Sequence, residues 1–156
     1  LPGRRRQLSH EFKYNQAVWL RRDLARLLVS GVSTFFDPAD LDLITPVPLY
    51  PARQRQRSYN QSQLLAENLA RHFRIPLSSR LLLRTRPTAT QTHLTAEERA
   101  TNVRGAIRVH DQDRPEGRKI LLVDDVMTTG ATVSECARVL KAAGAAQVLV
   151  ITVARN

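Results

Sequence analysis

The sequence predicts an α/β fold, a mostly parallel sheet with helices on both faces. Three observations carry this. Lys119-Ile120-Leu121-Leu122-Val123 is a near-continuous apolar run, as expected of a strand buried on both sides. A helical pattern comes next, from about Ala131 to Ala143, with Val133, Cys136, Ala137 and Leu140 on one face and Gly144 in the stop position. A second apolar strand, Gln147 to Val153, ends the pattern. Strand, helix and strand in that order imply a right-handed parallel crossover.

Phe12, Val18 or Trp19, Leu24, Leu27 and Leu28 recur at helical spacing, which predicts a helix from Ser9 to about Ser30 with Gly31 as its stop. Residues 1–40 read as an N-terminal helical segment, and 41–156 as the α/β core of a single domain spanning 1–156. Leu41 to Leu49 reads as a strand whose hydrogen-bonded part ends near Thr45 or Val47, because Pro46 and Pro48 cannot donate to a ladder. Next is a basic loop, in which an extended chain would point Arg53, Arg55 and Arg57 to one side. Leu64, Leu65 and Leu69 predict a helix from about Asn60 to Phe73. Residues 76–103 show no convincing period and read as a long connection, functional or mobile. Gly105 to His110 reads as a short strand, leading to a turn that holds Asp111, Asp113, Pro115 and Gly117.

Composition removes several function classes. Cys136 is the only cysteine, so an internal disulfide and a cysteine-based zinc site are both ruled out. On the apolar side of its helix it reads as a small hydrophobe. His10, His72, His93 and His110 lack metal-ligand spacing. No apolar run approaches the ~20 residues that span a bilayer. The basic start Leu1 to Arg6 lacks the apolar stretch of a signal peptide, so a cytoplasmic protein is expected. The chain does not open on methionine, which leaves an upstream segment open. The net charge is +10, with Lys and Arg totalling 24 and lysine only at Lys13, Lys119 and Lys141. Arginine's planar fork suits bidentate phosphate recognition, so an anionic partner is expected, with nucleic acid neither required nor excluded.

Asp124 and Asp125 close the central strand, where ligands of open α/β folds bind. Two adjacent acids beside a dry sheet repel each other and need a use. They can accept hydrogen bonds from a vicinal diol such as the 2- and 3-hydroxyls of ribose. Thr128-Thr129-Gly130-Ala131-Thr132 then turns the chain into a helix start, where amides, hydroxyls and the helix dipole converge on an anion. Together they describe a receptor for ribose 5-phosphate. The plain alternative is that the acids close a strand and a threonine caps a helix. A nucleoside triphosphatase reading would need a G-x-x-x-x-G-K-[ST] loop, which the sequence lacks.

The stretch Ile120 to Thr132, Val126 and Met127 included, resembles the phosphoribosyl-pyrophosphate signature of type I phosphoribosyltransferases. The resemblance extends to the ComF family of phosphoribosyltransferase-like proteins. Gly3, Arg6, Leu8 and Phe12-Lys13-Tyr14 match its opening. Asp42, Pro46-Val47-Pro48-Leu49, Arg53, Arg57 and Asn60-Gln61 match a second block. Arg84, Arg86, Thr88, Gln91, Leu94, Arg99 and Asn102-Val103 match a third, and Ala154-Arg155 the ending. Ser58-Tyr59 departs from the family's usual Gly-Phe, and a four-cysteine zinc module common before the domain is absent from this chain.

The resemblance implies a type I phosphoribosyltransferase-like fold with a flexible hood loop over about 76–104. It implies phosphoribosyl pyrophosphate, or a nucleoside monophosphate, as ligand and Mg²⁺ as cofactor, carried by the ligand with Asp124 and Asp125 nearby rather than by a protein metal site. Pro48, Leu49, Arg53, Arg57, Asn60 and Gln61 would form the pyrophosphate side, Arg53, Arg57 and Arg99 being the candidates for catalysis. Thr90, Gln91, Arg99 and Asn102 would reach the ligand from the hood. No general base and no acceptor pocket are readable. The family's association with competence adds single-stranded DNA or the DNA-uptake machinery as candidate partners, and a non-catalytic nucleotide-sensing or DNA-handling role as the alternative. Aromatic residues are only 5%, which leaves little material for a base-stacking platform.

Overall fold

The computed structural model describes residues 23–57, 59–88, 95–110, 114–127 and 129–155. The first helix, α1, covers residues 23–35 of these. It runs through Gly31, which is therefore not a stop. A β-carbon there would come within 3.3 Å of Ile151 Cδ1, so the glycine lets the helix lie close on the sheet. Residues before 23, including the opening block Gly3 to Tyr14, lie outside the described residues.

After a 3₁₀ turn at Pro38–Asp40 the chain enters β1, Leu43–Pro46. The Val47 amide still donates to Val123 O at 2.9 Å, and the prolines end the ladder there as expected. The next segment corrects the extended-loop expectation, for Pro51–Arg57 is a helix, α2. Proline at the first helical position presets φ, and alanine, arginine and glutamine are good helix formers. At about 100° per residue, positions 53 and 57 then share a face and position 55 lies opposite. Helix α3, Gln61–Phe73, begins close to the expected Asn60, which caps it, and ends at Arg74 in the left-handed region.

The stretch 76–103 is more structured than its lack of period suggested. Ser78 N and Ile44 O, 3.0 Å apart, begin a short parallel bridge beside β1. Strand β2, Leu82–Arg84, pairs antiparallel with β3, Ile107–Val109. Helix α4, Ala96–Val103, is closed by a capping box in which Thr95 Oγ1 accepts from Glu98 N and the Glu98 carboxylate accepts from the Thr95 amide. The T-x-x-E spacing was the available signal for it.

Strand β4, Lys119–Met127, lies between β1 and β5, Gln147–Arg155, parallel to both. Helix α5, Ala131–Ala142, joins β4 to β5, with Gly144 just past its end at φ 94°. Alternate residues of β4 feed two cores. Leu121 and Val123 pack with Leu28 and Val32 of α1 and Leu65 and Leu69 of α3. Ile120 and Leu122 pack with Val133, Cys136 and Leu140 of α5 and with Leu82 and Ile107 of the hairpin. The sheet thus carries α1 and α3 on one face, and α5 with the β2–β3 pair on the other. Glu135 ties this second layer together: it accepts from Gly105 N at 2.8 Å and is paired through both oxygens with Arg138. Among the described residues, no helix is long and apolar enough to cross a membrane.

Candidate functional site

Strand β4 outruns β1. Its register with β1 ends at Pro46↔Val123, whereas its pairing with β5 continues to Met127↔Arg155. On the β1 side, the backbone beyond Val123 therefore needs other partners, because every buried amide must be satisfied. Asp125 N–H finds two: Asp124 Oδ1 at 3.0 Å and Ser62 Oγ at 3.2 Å. Ser62 Oγ in turn donates to Asp124 Oδ1 at 3.3 Å. The N-terminus of α3 thus fills the place that β1 vacates, and the acid pair sits on β4 itself, not in the turn after it.

The two acids differ in environment. Asp124 is 8% exposed, and its carboxyl is pushed up to about 7, first by burial and then by the charge of Asp125. Asp125 is half-buried and Val126 exposed. Such an arrangement can give one carboxyl that holds a proton near neutrality beside a better-solvated neighbour.

Beyond Met127, Gly130 takes φ 77° as the N-cap of α5, a residue with no side chain to cap the helix. A glycine cap offers no side chain to the first-turn amides, and the positive end of the helix dipole there favours an anion. Thr129 is exposed, and Ala131 and Thr132 are half-buried. Thr128 lies outside the described residues, as do Thr90 and Gln91.

On the other side, Pro48 and Leu49 lie just past β1 and line a cleft of about 370 Å³. Pro51 and Gln54 of α2, Asn60 and Gln63 at the start of α3, and Arg80 and Arg84 complete most of its wall. Arg53 and Arg57 stand on α2 beside this cleft by position; their side chains are not among those described. Asn60 is 6% exposed and its carboxamide is used internally, Oδ1 accepting from Ser62 N and Nδ2 donating to Val47 O, both at 3.1 Å. It is a structural staple between β1 and α3. Gln61 is exposed. Arg99 stands within α4, the helix that packs on α5.

Sequence reasoning missed Ser62, Gln54, Gln63 and Arg80. Ser62 carried a signal, for it shares the face of Leu65, Ala66 and Leu69, where a polar group must find partners. Among the described residues, no group of three His, Cys, Asp or Glu side chains is placed to hold a metal ion. Cys136 is buried, with its thiol pushed up to about 12 chiefly by burial, so it behaves as the small hydrophobe expected.

A model of the phosphoribosyl transferase domain matches residues 60–156. The chain belongs to the phosphoribosyltransferase domain family. The ComF resemblance is also borne out. Competence protein F of Haemophilus influenzae is 38% identical over 153 residues, covering 95% of this chain and 66% of its own length. DNA utilization protein YhgH of Escherichia coli K12 is 38% identical over 153 residues, covering 96% and 66%. This phosphoribosyltransferase-family chain thus spans just under two thirds of the length of those relatives. Among solved structures, glutamine phosphoribosylpyrophosphate amidotransferase of B. subtilis superimposes with a TM-score of 0.55 at 22% identity, over 85% of this chain and 26% of that one. Purine phosphoribosyltransferase of Pyrococcus horikoshii gives 0.51 at 18%, over 86% and 71%. These two likenesses bear out the fold.

Proposed function

We propose that this chain binds phosphoribosyl pyrophosphate, or a nucleoside monophosphate, at the carboxyl end of β4 and transfers phosphoribosyl to a nitrogen acceptor. The observation that carries the reading is the acid pair Asp124-Asp125 at the end of β4, followed by an α5 start whose N-cap is Gly130. The ribose hydroxyls donate to the carboxylates. The 5-phosphate takes the amides from Thr129 to Thr132 and the helix dipole. Pro48, Leu49, Arg53 and Arg57 then face the pyrophosphate, with Arg99 and Gln91 as hood candidates.

Mg²⁺ suits this donor set as a ligand-borne ion, since it keeps water and is commonly bound by substrate phosphates with few protein groups. It would be held by the diphosphate with Asp124 and Asp125 nearby, neutralising charge on the leaving pyrophosphate. The bond from C1 to the pyrophosphate oxygen breaks, the nitrogen bonds to C1, and the nitrogen's proton passes to solvent. Positioning and charge stabilisation supply the rate.

The relatives' names support a role in competence or DNA utilization, which we place in the cytoplasm. Those names and the +10 charge also favour a second reading, a nucleotide-sensing or single-strand-handling accessory without turnover. Calorimetry with phosphoribosyl pyrophosphate and Mg²⁺ tests the site. Binding is expected and should be lost on replacing Asp124 and Asp125 together by alanine; binding that survives the replacement refutes the assignment. Pyrophosphate release with a panel of bases and amines then separates transfer from sensing. Salt-dependent binding of a short single strand that outlasts loss of the acid pair would place DNA on a separate basic surface.

A further inference from the structure

The Ser62 hydroxyl is not accounted for by helix formation. Ser62 is 4% exposed in the first turn of α3. Alanine would favour the helix more, and a buried hydroxyl is costly without partners. Its partners are both on β4: it donates to Asp124 Oδ1 at 3.3 Å and accepts from Asp125 N at 3.2 Å. Asp125 N also donates to that same Asp124 oxygen. Two donors on Oδ1 leave Oδ2 as the Asp124 oxygen able to accept from a ligand.

Ser62 is itself held from the other side. Its amide donates to Asn60 Oδ1, and Asn60 Nδ2 donates to Val47 O. Val47 N donates to Val123 O, immediately before Asp124. The hydrogen bonds therefore close a ring from β4 through β1, Asn60 and Ser62 back to β4. A buried hydrogen-bonded network of this kind fixes geometry.

We propose that Ser62 is a positioning residue for ribose recognition, holding Asp124 and Asp125 in the arrangement that matches a vicinal diol. The proposal rests on the sugar-phosphate reading above and deepens it. A purely structural serine would act on all ligands alike through stability. A positioning serine acts on the diol and spares the phosphate end.

Calorimetry on the full chain with ribose 5-phosphate, 2-deoxyribose 5-phosphate and inorganic phosphate distinguishes the two. Wild type should prefer the ribose compound. Ser62→Ala should lower that preference about tenfold, the worth of one hydrogen bond to a charged group, while phosphate affinity holds. Ser62→Thr, which keeps the hydroxyl, should restore it. Ser62→Cys, a weaker donor of similar size, reads the same ratio should the alanine variant not fold. An unchanged ratio in a folded Ser62→Ala protein overturns the proposal, as does an equal loss for all three ligands. A wild type with no ribose preference overturns the sugar-phosphate reading itself.

Discussion

Asp124→Asn should stabilise this fold at alkaline pH while weakening its hold on a sugar. Asp124 is 8% exposed, and its carboxyl is moved from an ordinary 3.8 up to about 7 by burial and by the adjacent Asp125 charge. Because the folded value lies above the unfolded one, the folded chain keeps a proton that the unfolded chain has released between those two values. Stability therefore falls as pH rises through that window and levels off above about 7. The distance from 3.8 to about 7, at roughly 1.4 kcal/mol per pH unit, makes the burden about 4 kcal/mol once the group is charged. Asparagine has nearly the same shape and never charges. Its oxygen can still accept from Ser62 Oγ and Asp125 N. The variant should thus gain up to about 4 kcal/mol over wild type at about pH 8 and almost nothing near pH 4. In a domain of this size each kcal/mol moves Tm by about 2–4 °C. Urea unfolding of both proteins at the two pH values reads the difference directly. Equal stability at the higher pH would show that the acid is not a buried charge, and the argument from burial would fail.

Gly130→Ala should destabilise by about 1–2 kcal/mol in the same assay, because φ 77° is strained for any residue with a β-carbon. The cause would be backbone strain and not crowding, since that carbon would meet Met127 Sδ at an ordinary 3.5 Å. Gly130→Asn, which tolerates the left-handed region better, should recover part of the loss; equal destabilisation by both would point away from φ. Cys136, buried with its thiol pushed up to about 12, should be inert to thiol-specific reagents in the native protein at about pH 8 and react only at the rate of unfolding. Labelling at the rate of an exposed thiol would contradict its place in the core.

The central strand and the helix after it were legible in the sequence. Ile120 to Val123 are 0% exposed, and only a strand covered on both faces has a use for four consecutive large apolar residues. Helix α5 and its stop at Gly144 could be read from apolar spacing and from glycine's freedom at positive φ. The segment after β1 was not legible in the same way. Gln54 and Arg55 of α2 are exposed, so no apolar stripe marks that helix, and its alternating arginines imitate an extended loop. Strand β2 is three residues long and finds its partner β3 only after α4 intervenes, which no local pattern encodes. The acids could be read as a site because their repulsion is a local fact. Ser62 could not be assigned to them, because the contact joins residues 62 positions apart.

The ends of β1 and β4 explain why the site lies where it does. Pro46 and Pro48 take β1 out of the ladder, while β4 continues along β5 from Asp124 to Met127. That mismatch opens one side of β4 at the acid pair and brings the first turn of α3 against it. Three local costs then gather within a few residues: a buried acid beside another, a left-handed residue, and a helix start whose glycine cap offers no side chain. Each is easily avoided, by asparagine at 124 or by serine or aspartate at the cap. Chains tend to break such rules together only where function compensates. A diol facing the acids and a phosphate at the helix start would relieve the first and third of these costs at once, and the second shapes the turn between them. On the proposed reading, one ligand carrying a diol and a phosphate would account for all three together.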